Sequence, residues 1–514
     1  MKQIKIFLLL FIVSLFVRLI YLKTIPPALN WDEVSLGYNS FSILKTGKDQ
    51  WGINYPAIFR IYGDYKLPLY VYLSLPFIIF GLNIFTVKAV SILCGSLLPI
   101  ITYLILQKLK PKNKLFPLIG SLLICFSPWS IFLSRIALEA NLFLFLFSIS
   151  FYFLLSKKYY LSTFFYALCL FSYNSSRVLF PFYLIILFIL LIKNKYKINI
   201  IKLLPFFLAI FIFINQSLSQ SGQARYKWVS ILDEGAINQI NDLRGKYPRF
   251  LVNKATYFTY TATKNYISHF NPKFLFFSGG SQYQFNIPNF YLISYLLIPF
   301  FILGLYWLFK DKQYIFLYFL FISPIPSAIT RDAPHTIRSI VFVYLSSLVI
   351  AYAFCKLKNK AYFLIFIAIL LVSQIQFWPK YFAYSKTYSQ SWQYGYKEIV
   401  QYAKNNFDKY NQIIITKKYG EPHEFVLLYW PYDPYKYQNN NLVWDYHASW
   451  YWVESFDKFI FINDWEIKDK TKNINSPTLL ITSPNNYNNN AKLIKTVYFK
   501  DNSPAFDILE MYEK

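Results

Sequence analysis

The stretch Leu142–Phe171, "LFLFLFSISFYFLLSKKYYLSTFFYALCLF", decides the fold. Two apolar runs flank a short turn that carries Lys157 and Lys158. A membrane-spanning helix needs roughly 20 apolar residues, and runs of this kind approach that length. The same pattern, apolar run then lysine-bearing turn, recurs along the chain. Read outward from this pair, it predicts about eleven spans: 4–22, 86–106, 115–133, 141–156, 159–173, 178–192, 200–215, 290–309, 314–329, 338–355 and 361–378. Several are short enough to be tilted or re-entrant. A further apolar stretch, Leu67–Gly81, carries Pro68 and Pro76 and reads as a twelfth span or an interfacial helix.

Composition agrees. Of 514 residues, 56% are hydrophobic and only 15% charged, more apolar surface than a soluble domain of this size needs. The expected fold is a polytopic α-helical membrane protein of about 11–13 transmembrane helices, with outer-face juxtamembrane helices and a C-terminal α/β soluble domain. The expected division is a membrane domain over 1–380, with outer loops 23–85 and 216–289, and an extracytoplasmic domain over 381–514. The N-terminus, "MKQIKIFLLLFIVSLFVRLIYL", lacks a small-residue cleavage site and reads as an uncleaved first span. Cys94, Cys125, Cys169 and Cys355 lie in apolar runs without metal-ligand spacing and read as small buried hydrophobes.

Charge sets the orientation. Lys108, Lys110, Lys112 and Lys114 share one turn, and Lys157 and Lys158 the next on that side. Lys193, Lys195 and Lys197 follow, then Lys310 and Lys312, then Lys356, Lys358 and Lys360. With eleven spans all these turns fall on the face of the N-terminus, which the positive-inside rule makes cytoplasmic. The net charge of +27 is thus largely juxtamembrane or dispersed through the tail, so a nucleic-acid partner is not expected. The short connections on the other face carry Arg135, Arg177, Arg331 and Arg338 but no lysine. A guanidinium matches a phosphate oxyanion as a fork, where lysine is a point charge. The plainer reading makes these arginines anchors at the headgroups.

On that outer face the first loop opens "ALNWDEVSLGYNSFSILKTGKD", with Asp32 and Glu33 side by side. An ionised carboxylate at the lipid–water boundary is suited to take a proton from a hydroxyl. The alternative is that Asp32 caps a helix starting near Val34.

These residues resemble a known family. "NWDEVSLGYNSFSILKTG" resembles the first outer loop of the type C glycosyltransferases (GT-C, family 39-like), in the branch of the protein O-mannosyltransferases and aminoarabinose lipid A transferases. "GDYKLPLYVYLSLPFIIFG" (Gly63–Gly81) is similar to the family's acid–Lys–Pro–Pro–Leu element, with Leu67 in place of the first proline. "SRIALEAN" (Ser134–Asn141) resembles an outer loop bearing an arginine and a nearby acid. "YNSSRVLFPFYL", "HFNPKFLFFSGG" and "TRDAPHTIRS" are similar to elements of bacterial members. The resemblance covers roughly residues 1–380.

The resemblance implies transfer of one sugar from a polyprenyl-phosphate carrier to a hydroxyl acceptor on the outer side of the membrane, with inversion. Under it Asp32 is the catalytic base, and Glu33 orients it or binds a cation. Asp64 is a second acid near the acceptor, or a turn residue in "YGDYK". Lys66 contacts the carrier phosphate, or snorkels at a span entrance. Arg135 faces the phosphate or sugar, or pairs with Glu139 four residues on. Arg331, Asp332, His335 and Arg338 crowd one loop; His335 and Arg338 would share a helix face as leaving-group stabilisers. No cofactor is certain. A divalent cation is compatible with Glu33, Asp332 and His335, but no dense ligand motif is present and an obligatory metal is not expected. The acceptor is a protein, a lipid or a polysaccharide.

Loop 216–289 is too long for a plain connector and should hold one or two amphipathic helices, with "FFSGG" as a turn next to the site. In the tail, "YGYKEIVQYAKNNF" reads as a helix and "QIIIT", "KFIFIND", "TLLITS" and "KLIKTVYF" as strands, without a glycine-rich phosphate loop. A transporter or flippase of lipid-linked sugars is the alternative function. It would place polar residues within the spans, whereas the ionisable residues here cluster at the outer ends.

Overall fold

The computed structural model describes residues 2–109, 115–196, 199–357, 360–439, 441–448, 450–474 and 476–511. Of the turn lysines, Lys110, Lys112, Lys114, Lys197 and Lys358 lie outside the described residues. Every expected apolar stretch is helical. The first helix is α1 (Lys2–Leu19), and the first loop holds α2 (Trp31–Thr46) and α3 (Leu69–Ile78). Then follow α4 (Ile84–Leu109), α5 (Leu115–Phe126), α6 (Pro128–Ser134), α7 (Glu139–Leu155), α8 (Tyr159–Cys169), α9 (Asn174–Lys193) and α10 (Ile200–Leu218). The long loop contributes α11 (Gln220–Val229), α12 (Glu234–Arg244) and α13 (Lys254–Ser268), more helix than its sequence suggested. Next come α14 (Ile298–Lys310), α15 (Tyr314–Ile322), α16 (Ile325–Ala328), α17 (Ile340–Lys356), α18 (Lys360–Thr387), α19 (Tyr396–Asn405) and α20 (Pro422–Tyr429), followed by two short helices, α21 (Pro434–Asn439) and α22 (Ile467–Lys470).

Among the described residues, α4, α9, α10 and α18 are long and apolar enough to cross a membrane. The pair α5 and α6 makes a fifth if taken as one span bent by 55°. The bend falls at Pro128, which cannot donate into the preceding turn. Shorter apolar helices of 10–17 residues, among them α7 and α17, make up much of the remainder. The chain is a polytopic helical membrane protein with a C-terminal sheet domain.

Two compact units divide the chain: residues 1–20 with 91–378, and residues 21–90 with 379–514. In the first, α17 is the central helix, buried at every position from Ile340 to Phe354. A Cβ on Gly304 would fall 2.0 Å from the Val349 carbonyl oxygen, so α14 meets α17 backbone to backbone. Small residues permit such approach where no hydrophobic force draws apolar helices together. Elsewhere the apolar faces are bare: on α10 Ile201 is 80% and Phe211 66% exposed. In water such faces would be costly; in hydrocarbon they are the right surface. Cys94, Cys125 and Cys169 are buried and unpaired by disulfides, and Cys355 is half-buried.

The second unit is built on a seven-stranded sheet. Its strands follow the short hairpin of β1 (Phe59–Arg60) and β2 (Tyr65–Lys66) in the first loop. They are β3 (Gln412–Thr416), β4 (Val443–His447), β5 (Trp450–Phe456), β6 (Phe459–Ile462), β7 (Thr478–Thr482), β8 (Ala491–Tyr498) and β9 (Pro504–Met511). The order is β4-β5-β6-β3-β7-β9-β8. The central β3 runs parallel to β6 and β7, and the outer pairings are antiparallel. Ile413, Ile414 and Ile415 are all buried, as a strand covered on both faces requires. The four expected strands are present; β4, β5 and β9 are additional.

Candidate functional site

In the second unit the start of α2 organises the acids. Asn30 is the N-cap: its side-chain oxygen accepts from the Glu33 N–H at 3.0 Å, and a Glu33 carboxylate oxygen accepts from the Asn30 N–H at 3.1 Å. This reciprocal box starts the helix at Trp31, not near Val34. Asp32 is therefore not the cap. The capping alternative fails because Asn30 already satisfies the helix end. Asp32 stands in the first turn, one-third exposed, with its Oδ1 2.9 Å from the Lys66 ammonium on β2. Its charge also suits the positive end of the helix dipole. Glu33 is fully buried, closing the cap and lying 3.5 Å from the buried Lys88 ammonium.

Asp64 shapes the β1–β2 hairpin. Its carboxylate accepts from the Tyr65 N–H at 2.7 Å and its carbonyl from the Ile61 N–H at 3.1 Å. Trp31, beside Asp32, is held at its backbone: its N–H donates to Gln393 and its carbonyl accepts from the Tyr62 hydroxyl at 2.7 Å. Gly420, at φ +120°, passes under the Trp31 ring, where a Cβ would come within 2.7 Å.

The sequence reading missed a buried group on and beside α20. His423 lies 3.4 Å from Glu421 and 3.8 Å from Glu424, and Gln50 donates to Glu424 at 2.8 Å. Burial pushes the Glu424 carboxyl above its ordinary value; His423 and Lys66 are among the groups that pull it back. Three titratable residues within "EPHE" were the available signal. Lys88, inside an apolar run, gave none.

In the first unit three arginines line one cavity of about 260 Å³. Arg177 comes from α9, Arg225 from α11 and Arg338 from the approach to α17; Tyr173 and Thr330 add polar groups, and Phe213 and Val178 apolar wall. Arg177 donates to the Leu170 carbonyl at 3.1 Å and to the Gln216 side chain at 2.5 Å. Arg338 donates to the Thr330 hydroxyl at 2.7 Å and lies 3.4 Å from Asp332. Arg331 is partly exposed, 3.5 Å from Asp233 and 5.9 Å from the Trp228 ring. Arg225 escaped the sequence reading because it sits in a polar segment of the long loop.

His335 and Arg338 do not share a helix face. α17 begins at Ile340, and the residues before it form a turn whose Ser339 N–H reaches the His335 carbonyl at 3.1 Å. The imidazole is buried, its ring 5.5 Å from Phe285. Burial first, then the charges of Arg338 and Arg225, hold it well below the ordinary histidine value. "FFSGG" is not a simple turn: Phe274–Ser278 form one turn of π-helix, Gly280 packs so close to this loop that a Cβ would lie 2.6 Å from the Thr336 hydroxyl, and the following Ser281 N–H donates to the Pro334 carbonyl at 3.1 Å. Arg135 is fully buried, donating to the carbonyls of Val17, Arg18 and Ile20 and so closing the end of α1. Glu139 opens α7 and is buried. Among the described residues no group of three or more His, Cys, Asp and Glu side chains is arranged to hold a metal ion.

No family model matches the sequence, and no curated protein matches it. Solved structures do. The apo oligosaccharyltransferase of Archaeoglobus fulgidus aligns at 12% identity with a TM-score of 0.47, over 83% of this chain and 63% of that one. This chain thus spans less than two-thirds of the archaeal enzyme's length. ArnT from Cupriavidus metallidurans aligns at 10% identity and TM-score 0.48 in the apo state, over 99% of this chain and 98% of that one. Its form bound to undecaprenyl phosphate aligns at 9% identity and TM-score 0.49. At this identity and this score the likenesses carry no activity across.

Proposed function

We propose that this chain is a glycosyltransferase of the cytoplasmic membrane. It moves a sugar from a polyprenyl-phosphate carrier to a hydroxyl acceptor on the outer face, with Asp32 as general base. The observation that carries the reading is the cavity lined by Arg177, Arg225 and Arg338. Three guanidinium groups around an apolar-walled space suit a ligand that is a phosphate at one end and a hydrocarbon at the other.

The chemistry needs two things from the protein. The acceptor oxygen attacks the anomeric carbon, the bond from that carbon to the phosphate oxygen breaks, and the polyprenyl phosphate departs as an anion. Fixed cations stabilise the charge that grows on the phosphate. The acceptor proton needs a base, and Asp32 is a partly exposed carboxylate freed from capping by Asn30. A single displacement inverts the anomeric centre. Lys66, 2.9 Å from Asp32, orients that carboxylate in this reading. The lysine-bearing turns support the outer placement of Asp32, the arginine loops and the tail.

The test is reconstitution in nanodiscs with a radiolabelled polyprenyl-phosphate sugar. The expected products are free polyprenyl phosphate and sugar on an acceptor. Binding without cleavage, or passage of the intact lipid across a vesicle membrane, would overturn the transferase reading.

A further inference from the structure

We infer that the hairpin of β4 and β5 presents a saccharide-binding platform, so that the hydroxyl acceptor is a carbohydrate; the second clause rests on the transferase reading, the first does not. Strand alternation sets the platform. Trp450, Trp452 and Glu454 fall on one side of β5, Tyr451 and Val453 on the other. The register pairs His447 with Trp450 and Asp445 with Trp452, so these join the first side.

The rings form a continuous row. His447 stacks on Trp452 with centroids 5.6 Å apart and planes at 19°, and Trp452 lies 6.0 Å from Trp450. Trp450 in turn lies 6.4 Å from Trp31, the residue preceding Asp32. His447 and Trp450 are register partners, so the row lies at the end of the hairpin where β4 connects to β5, next to Trp31, the neighbour of the proposed base. Polar groups flank it. Glu454 pairs with Lys417 at 2.5 Å, His447 with Asp445 at 2.8 Å, and the Trp450 indole donates to Glu421. The first loop meets both faces of the hairpin: on the second the Arg60 guanidinium lies 4.1 Å from Trp51 and 4.6 Å from Tyr451, and on the first Tyr62 stacks on Trp450 with centroids 5.4 Å apart. The part of the row away from that loop is therefore Trp452 and His447, with the Lys417 ammonium 5.4 Å from the Trp452 ring. On the first face Asp445 and His447 are 63% and 56% exposed at the side chain, and Trp450 and Trp452 are half-buried.

A pyranose ring has an apolar C–H face bordered by hydroxyls that both donate and accept. Indole faces match the first, and carboxylate, imidazole and ammonium groups match the second. A bilayer surface fits the row poorly, because Asp445 and Glu454 would meet anionic headgroups. A peptide strand would use the free backbone edge of β4 rather than the ring faces.

The full chain in nanodiscs, without lipid donor, is titrated with trisaccharides of glucose, mannose, galactose and N-acetylglucosamine. Binding is read by saturation-transfer NMR. At least one probe should show transfer to its ring C–H protons, weakened about 3–10-fold in Trp452→Ala and restored in Trp452→Phe, the range expected for one aromatic contact. Thermal unfolding confirms that both variants fold. No transfer to any probe, or equal binding by Trp452→Ala, overturns the platform. So does strong quenching of wild-type indole emission by brominated lipid that Trp452→Phe relieves, which marks an interfacial anchor. An extended peptide that binds while the sugars do not would also overturn it. Because no donor is present, sugar binding with no transferase activity sinks the enzyme reading alone, and transfer without sugar binding sinks the platform alone.

Discussion

The Asp32 carboxylate and the Lys66 ammonium stand 2.9 Å apart, joining the first turn of α2 to the second strand of the β1–β2 hairpin. The helix end is closed by Asn30 and Glu33, so this ion pair is not needed to cap it. That separation of roles makes the adjacent acids distinguishable by experiment.

Asp32→Asn should lower turnover by about 10²–10⁴-fold, the usual worth of a positioned base, with little change in unfolding temperature. Glu33→Gln should do the reverse. It weakens a buried ion pair with Lys88 and one arm of the capping box, a loss on the order of 3–5 kcal/mol when one partner of a buried pair is removed. Turnover and thermal unfolding measured on the same preparation check both. Normal turnover in folded Asp32→Asn would exclude it as the base.

Arg338→Ala and Arg177→Ala should each weaken polyprenyl-phosphate binding, by about 1.5–3 kcal/mol for one charge-assisted contact. Lys66→Met should leave that affinity nearly unchanged and lower turnover, because its partner is Asp32. Equilibrium binding of a fluorescent polyprenyl phosphate separates the two classes. A Lys66→Met defect in binding equal to that of Arg338→Ala would make the lysine a phosphate ligand instead.

Acid should weaken the loop before α17. His335 is held well below the ordinary value of 6.5, and burial brings His269 to about 4. A histidine that resists the proton when folded contributes fully above 6.5 and loses that contribution as pH falls below it. The loss is about 1.4 kcal/mol per pH unit for each histidine until its folded value is reached. The unfolding temperature should therefore drop between pH 6.5 and 4, and His335→Gln should reduce that slope. An unchanged slope would show that the proton enters His335 without cost.

Single cysteines placed at Lys158 and Lys312 should react with membrane-impermeant thiol reagents only from the cytoplasmic side, and those at Lys254 and Lys436 only from outside. The native cysteines are replaced first, since Cys355 is half-buried. A tail residue labelled from the cytoplasmic side would reverse the whole orientation.

Periodicity made the helices legible. Each apolar run became a helix because its backbone must satisfy itself in lipid. The central strands were legible for a similar reason: Ile413–Ile415 is a short β-branched run that needs cover on both faces. The hairpin of β4 and β5 was not, because "VWDYH" and "WYWVESF" carry no clean apolar–polar alternation; aromatic rings occupy both faces. Asp32 could be singled out as one of a pair of acids, but not its partner or its release from capping. Those depend on Asn30, which looked like any loop asparagine, and on a lysine 34 positions away. Arg225 illustrates the same limit: it shares a cavity with Arg177 and Arg338 from elements distant in sequence, and no local pattern records the meeting.

The second unit joins residues 21–90 to residues 379–514, with nearly 290 residues of the first unit between the two segments. At ribosomal rates of about 5–20 residues per second, the first loop waits on the order of 15–60 s for the strands it folds with. During that interval Trp31, Tyr62 and the buried Glu33 and Lys88 belong to a fragment without its sheet. Biogenesis of this protein is thus ordered in time: the helices of the first unit are all synthesised before the second unit can close. A stalled or shortened nascent chain would leave the carboxylates of α2 without the strands they fold with, exposed to quality-control proteases.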